Sequence, residues 1–383
     1  MRVLIDYRPA LRARTGAGEY THQLVRALST MSAADASGTP DGTLDLSLFS
    51  SSWKDRLTKD RLTDIDALGA VSVVDRRVPV AVLNFAWHRL GWPPAELVTG
   101  SSYDVTHSSH PLILPARRAA HVVTIHDLDF LSHPEHTRAE VRRDYPGLAP
   151  EHARRADRVL VPSLFTAGEV ERRLQVPRER IVVCPPGAPA WTPRSAAPRD
   201  GYVLFVGTLE PRKNVGGLLD AYERVIDTAA ELELLLVGSA TDASRAWLER
   251  IGRPPLKGKV RHVGYVDASR MRQMYEGARV LVMPSFDEGF GIPVLDAMTL
   301  GVPVVAARRG SLPEVLGDAG RLVDPEAPAE IADAILQVAQ DDGYADALAA
   351  RGVARSRAFR WDETARRVYG AYRDAVEHHA HRR

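Results

Sequence analysis

Two acids, Glu288 and Asp296, bracket the run Gly289-Phe290-Gly291-Ile292-Pro293. The apolar residues 280–283 just before them read as a buried strand, and Pro293 suits the first position of a helix. A strand, a glycine-bearing turn and a helix N-terminus together make a natural receiver for phosphate. Carboxylates repel phosphate, so acids placed here are better suited to hydroxyl groups beside it. A ligand that carries both phosphate and many hydroxyls is a sugar nucleotide.

A second stretch, Gly207-Thr208-Leu209-Glu210-Pro211-Arg212-Lys213-Asn214, follows the apolar residues 202–206. Arg212 and Lys213 fall in a loop after a strand and before a helix. Two cations there suit a diphosphate, with arginine adding bidentate geometry. The alternative is an exposed Arg-Lys pair on a loop. Gly16 and Gly18, in Thr15-Gly16-Ala17-Gly18, open a helical pattern and permit close backbone approach to a ligand, or simply make a tight turn. A dinucleotide fingerprint would have a glycine where Thr21 stands. His126-Asp127 ends another apolar run, where open α/β sheets bind ligands; on position alone, a histidine capping its strand by a backbone hydrogen bond is the favoured reading. Asp127-Leu128-Asp129 and Asp64-Ile65-Asp66 spell spaced acid pairs of a kind that can hold a divalent ion, but such triplets arise often by chance, so no metal site is assigned. Glu314, in Gly310-Ser311-Leu312-Pro313-Glu314, either caps its own helix or faces the ligand.

The elements that must position these residues follow from periodicity. Strand-like runs at 2–6, 44–49, 71–74, 104–107, 121–127 and 158–163 alternate with helical patterns, and a second series, which includes a strand at 260–266, runs from 202 to 323. Near-continuous apolar strands between helices imply parallel sheets covered on both faces. The fold expected is therefore α/β, with two Rossmann-like domains facing across a cleft. Residues 184–200 are rich in proline, glycine and small side chains and form the candidate linker. The expected division is 1–190, 200–358 and a helical tail at 359–383 with a frayed polar end. Residues 32–42 read as a surface loop. Trp87 and Trp92, in a segment read as helical from 83 to the prolines at 93–94, suit either a core or a groove lining.

Composition narrows the class. A chain of 383 residues with 45% hydrophobic and 26% charged residues is ordinary for a globular enzyme. A net charge of +1 gives no general argument for nucleic acid. The single Cys184 rules out an internal disulfide and a thiolate metal cluster. The N-terminus reads as a first strand, and no apolar run approaches the roughly 18 residues of a membrane span. A cytoplasmic protein is expected, with peripheral attachment at the inner face of a membrane left open. The arginines of 138–173 interleave with acids, as on a solvated mixed-charge surface.

Taken in order, five motifs (residues 15–18, 124–128, 207–214, 288–296 and 310–314) resemble those of the retaining glycosyltransferases of family four, which have the GT-B fold. Within that family the resemblance runs to the bacterial GDP-mannose-dependent mannosyltransferases. It implies a C-terminal helix returning to the first domain, an acceptor-binding first domain and a sugar-nucleotide-binding second one. Arg212 and Lys213 would neutralise the donor diphosphate, close to Gly207 and Thr208. Glu288 would bond the transferred sugar's hydroxyls, with Gly289 and the backbone of Phe290 and Gly291 facing sugar and phosphate. Asp296, where the family usually has glutamate, would bind ribose. His126 and Asp127 would sit against the sugar on the acceptor side, and Gly16 and Gly18 would close on the diphosphate.

The reaction implied is transfer of a hexosyl group, mannose from GDP-mannose first, to an acceptor hydroxyl of a glycan, glycolipid or polysaccharide. Configuration would be retained, the nucleotide sugar would be co-substrate, and no cofactor or metal would be needed. UDP-glucose or a dTDP-sugar is the alternative donor. A nicotinamide-dependent oxidoreductase and a non-catalytic sugar-nucleotide-binding protein are the readings from other classes.

Overall fold

The computed structural model describes the chain except residues 12, 13, 15, 36–43, 53, 54, 59–61, 63, 64, 66–70, 138, 199 and 383. Thr15, Asp64, Asp66 and most of the loop expected at 32–42 lie outside the described residues. The chain divides into two compact units, Met1–Gly187 with Arg360–Arg383, and Ala188–Phe359.

Among the described residues the first unit holds seven strands: β1 (Arg2–Asp6), β2 (Asp45–Ser51), β3 (Val71–Arg76), β4 (Val105–Ser108), β5 (Ala120–Thr124), β6 (Arg158–Val161) and β7 (Ile181–Val183). They pair in parallel in the order β3-β2-β1-β4-β5-β6-β7. The second unit holds β8 (Tyr202–Val206), β9 (Leu234–Val237), β10 (Val260–Gly264), β11 (Ala278–Met283), β12 (Val304–Ala307) and β13 (Arg321–Val323). Their order is β10-β9-β8-β11-β12-β13, again parallel. Strand order reverses at β1 and at β8, and ligands of open α/β sheets bind beyond the carboxyl ends at such points.

The continuous apolar runs have a direct packing cause. Along β8, Val203 and Phe205 enter one core while Leu204 and Val206 enter the other. β11 divides in the same way, with Val280 and Val282 on one face and Leu281 and Met283 on the opposite one. Successive side chains of a strand point to opposite faces, so a sheet covered on both sides requires apolar residues without alternation.

The last helix, Trp361–His381, belongs to the first unit. Its stripe of Ala365, Val368, Ala371, Tyr372 and Ala375 joins the same core as Val3 and Ile5. The polar end expected to fray stays helical. Asp157, almost fully buried, accepts from His121 N (2.8 Å) and faces His378 Nδ1 (3.0 Å) and His379 Nδ1 (3.2 Å). A buried carboxylate needs such partners, so it holds the last turns.

Other boundaries differ from the sequence-based expectation. The first helix, Ala17–Asp35, runs on through Ser32, whose hydroxyl donates to Leu44 O at 2.6 Å. Ala and Ser continue a helix at little cost, so a run of small residues is not by itself a loop. The segment read as one helix up to the prolines consists of helix Val80–Phe85 and a π-turn at Ala86–Leu90. A separate helix, Ala95–Thr99, follows. Trp87 is core, its indole N–H donating to Pro93 O at 2.8 Å, whereas Trp92 is exposed. β5 stops at Thr124, which leaves His126 and Asp127 in the loop beyond it. β10 stops at Gly264, whose φ of +79° ends the extended run short of Val266. His107 does not end its strand. It is buried within β4, bonded to Tyr372 (2.7 Å) and Thr124 (2.8 Å), and burial lowers its pKa to about 3.

Candidate functional site

In the second unit the reversal of strand order makes β8 and β11 neighbours. The loops leaving them therefore meet although they are far apart in sequence. After β8, Pro211–Lys213 forms a single 3-10 turn. Asn214 follows with φ 54° and accepts from Gly217 N, starting helix Val215–Thr228. After β11 comes the loop bearing Glu288, and then helix Ile292–Leu300, which starts at Gly291 with φ 96°. Only glycine adopts that backbone freely. A side chain at Gly291 would in addition meet Leu312 Cδ2 at 2.7 Å.

Lys213 and Glu288 form an ion pair across this junction, and both are more than nine-tenths buried. Arg212 Nη1 stands 3.7 Å from the second Glu288 oxygen and donates to Asp287 O at 3.3 Å. Arg212 Nε is also 2.7 Å from Glu210. Burial pushes the Glu288 carboxyl up, but the Lys213 and Arg212 cations outweigh it and hold the group below its usual range. The acid is therefore ionised at neutral pH.

The backbone of Glu288 is gripped from a third loop, after β12. Its carbonyl accepts from Ser311 Oγ (2.8 Å) and Ser311 N (3.1 Å). Gly310, at φ +60°, lies so close that a Cβ there would be 2.9 Å from Glu288 N and O. Ser311 and Gly310 are thus positioning residues; the 310–314 motif contains them, but its sequence offers a role for Glu314 alone. Gly289, Phe290 and Gly291 are buried in the same loop. Asp296 sits half-buried in the helix beyond. Gly207 and Thr208 start the turn after β8, and Gly207 O is packed against Gly238 of the loop after β9. Glu314 lies in the first turn of helix Leu312–Leu316.

The remaining sequence-derived residues belong to the first unit. His126 hydrogen-bonds the Ser109 backbone, and its Nε2 is buried without a hydrogen-bond partner among the described residues. Burial lowers its pKa to about 4, against the opposing effect of Asp127. The ring is neutral at pH 7 and donates to Ser109, which leaves Nε2 as a bare acceptor. Tyr20, on the helix opened by Gly16 and Gly18, meets the His126 ring edge-on at 5.1 Å. Gly16 has φ +51°, and a Cβ on Gly18 would be 2.6 Å from Pro9 O, so close backbone packing by itself requires Gly18. Asp127 Oδ1 accepts from Asp129 N at 3.2 Å, which turns the chain into helix Asp129–Ser132.

Beyond these lies a cluster absent from the sequence reading. Asp6, fully buried at the end of β1, accepts two hydrogen bonds from the Arg8 guanidinium (2.8 and 2.7 Å) and one from its backbone N–H (3.1 Å), and faces His110 Nε2 at 3.2 Å. Arg8 also donates to Asn84 Oδ1 at 2.7 Å. Burial raises the Asp6 carboxyl, but Arg8 and then His110 hold it far below the carboxylate range. A depressed carboxyl contributes stability above its unfolded pKa of roughly 3.9, and that contribution is lost as pH falls toward the folded value. Asp6→Asn should cost about 3–5 kcal/mol, because Arg8 would remain buried without its counter-charge. A thermal unfolding midpoint equal to that of the unmodified protein would refute this.

Comparison with known proteins fits this geometry. A family model described as Glycosyltransferase Family 4 matches residues 42–190. One described as Glycosyl transferases group 1 matches residues 200–341. The O-antigen chain mannosyltransferase B of Escherichia coli is 32% identical across 97% of this chain and 100% of its own length.

The chain belongs to glycosyltransferase family 4.

A second relative, the D-inositol 3-phosphate glycosyltransferase of Acidothermus cellulolyticus, is 30% identical over 72% of this chain and 68% of its own. Among solved structures, a sucrose-phosphate synthase from Thermosynechococcus elongatus superposes with a TM-score of 0.73 at 22% identity, covering 97% of this chain and 98% of that one. HepE from Anabaena, solved with UDP and glucose, gives 0.69 at 20% identity, with 97% and 98% covered. These structural likenesses establish the GT-B fold of the glycosyltransferase. No described helix is long and apolar enough to cross a membrane.

Proposed function

We propose that this glycosyltransferase moves mannose from GDP-mannose to a hydroxyl of a glycan or lipid-linked saccharide, with retention at the anomeric carbon and without a metal ion. The observation that carries the reading is the buried Lys213–Glu288 pair with Arg212 beside it, at the carboxyl edge between β8 and β11. Two cations and one ionised carboxylate in one loop cluster match the two halves of a sugar nucleotide. The mannosyl donor is supported by the O-antigen mannosyltransferase relative, which matches along its whole length.

In this reading the cations turn to the diphosphate as the donor binds, and Glu288 is released to the sugar hydroxyls. Asp296, one methylene shorter than the usual glutamate, takes the ribose. The bond from the anomeric carbon to the phosphate oxygen breaks as the acceptor oxygen attacks from the same face. The departing phosphate accepts the acceptor's proton. Catalysis rests on stabilising that leaving group and on placing the acceptor. His126, neutral and acceptor-only at Nε2, suits a sugar hydroxyl.

Two experiments test this. In a thermal-shift panel of GDP-mannose, UDP-glucose and dTDP-sugars, GDP-mannose should stabilise the protein most, by about 2.7 kcal/mol at 100 times its Kd. A larger shift with UDP-glucose would move the assignment to that donor. Turnover should survive EDTA; loss of transfer on chelation, restored by a divalent ion, would return attention to Asp127 and Asp129.

A further inference from the structure

We propose that helix Val80–Phe85 and the turn after it form a docking face for an anionic lipid bilayer. This helix is apolar on both sides. Leu83 and Trp87 point into the core, and Asn84 is tied to Arg8. Facing outward, Val82 is 60% exposed, Phe85 56%, Leu90 65% and Trp92 61%. Leu97, on the next helix, is 56% exposed.

A surface helix normally keeps its outer face polar, and one apolar all round is normally covered. Exposed apolar patches of this kind mark interaction sites. These exposed side chains all fall within residues 82–97, and Trp92 N returns to Ala86 O at 3.3 Å, which folds the turn carrying Leu90 back beside the end of the helix.

The surrounding charge selects the occupant. Arg77 and Arg89 flank the apolar residues and are exposed, as are Arg117 and Arg118. Of the acids nearby, Glu96 accepts from the backbone N–H of Arg117 and Arg118, and Asp144 pairs with Arg89 and Arg143. Asp75 pairs with Arg56. Exposed apolar and aromatic side chains on a stretch that also exposes arginines match the boundary between acyl chains and anionic headgroups. The segment is too short to span a bilayer, so it lies in the surface plane. Asn84 also ties it to Arg8, which holds the buried Asp6 at the carboxyl end of β1. A lipid-borne acceptor would thus be presented beside the ligand edge of this sheet.

The face is independent of the donor assignment and is tested without it, by co-sedimentation of the full chain with vesicles. Phosphatidylcholine vesicles containing phosphatidylglycerol should bind the protein, pure phosphatidylcholine should bind it weakly, and added salt should release it. Phe85→Ser with Leu90→Ser should weaken binding roughly tenfold or more, and Arg77→Glu should weaken it on anionic vesicles only. The thermal midpoint and donor-induced thermal shift should be unchanged in both variants, which separates lost docking from lost fold or lost donor site. Binding unaffected by these substitutions, or no binding at low salt, would overturn the proposal. So would a vesicle-free dimer that the Phe85 and Leu90 substitutions dissociate, since that would make a second copy the occupant.

Discussion

Lys213→Ala is expected to weaken donor binding by roughly 10- to 100-fold, the equivalent of one lost charge-assisted hydrogen bond of about 1.5–3 kcal/mol. The unliganded protein should lose stability as well. Glu288 would remain buried, with the Arg212 guanidinium 3.7 Å away left to balance its charge. Breaking a buried pair from one side costs about 3–5 kcal/mol, less here because Arg212 remains. Two further variants separate the charge from the stem. Lys213→Met keeps the stem and removes the charge, so both should fall; Lys213→Arg keeps the charge, so part of the affinity should survive. Titration of GDP and GDP-mannose by calorimetry reads the binding directly. An unchanged Kd in Lys213→Ala would remove this residue from the phosphate site.

Glu288→Gln should behave differently. Its pKa is held low by Lys213 and Arg212, so the carboxylate supplies stability above the unfolded value near 4.3, and this is lost as pH falls through the lower folded value. The amide removes the charge that occupies Lys213 and leaves that ammonium to a phosphate. Affinity for the free nucleoside diphosphate should therefore hold or rise. Turnover should fall on the order of 100-fold, because the sugar loses a contact that orients it. Melting should also occur at a lower temperature, yet the Lys213→Met, Glu288→Gln double variant should be less destabilised than the sum of the two. A drop in diphosphate affinity equal to the drop in turnover would defeat this division of labour.

The contrast between these residues shows what the chain discloses on reading. Arg212, Lys213 and Glu288 stand out because each follows an apolar run and precedes a helix start, and that placement depends on local pattern alone. Their pairing does not, since 75 residues separate Lys213 from Glu288. Asp6 and Arg8 are two residues apart, but nothing near them predicts His110 as the third member, 104 residues away. The polar end at 378–383 reads as frayed because its partner, Asp157, is remote in sequence.

The sequence by itself determined the alternation of strands and helices, the two-sided burial of both sheets and the loops that carry charge, because propensity and periodicity act over a few residues. Tertiary structure decided which loops meet. Strand order places β8 beside β11 and β1 beside β4, and the last helix lies on the first sheet. In parallel sheets neighbouring strands are joined by long crossovers, so the contacts that build a site are set by strand order, which no local pattern encodes.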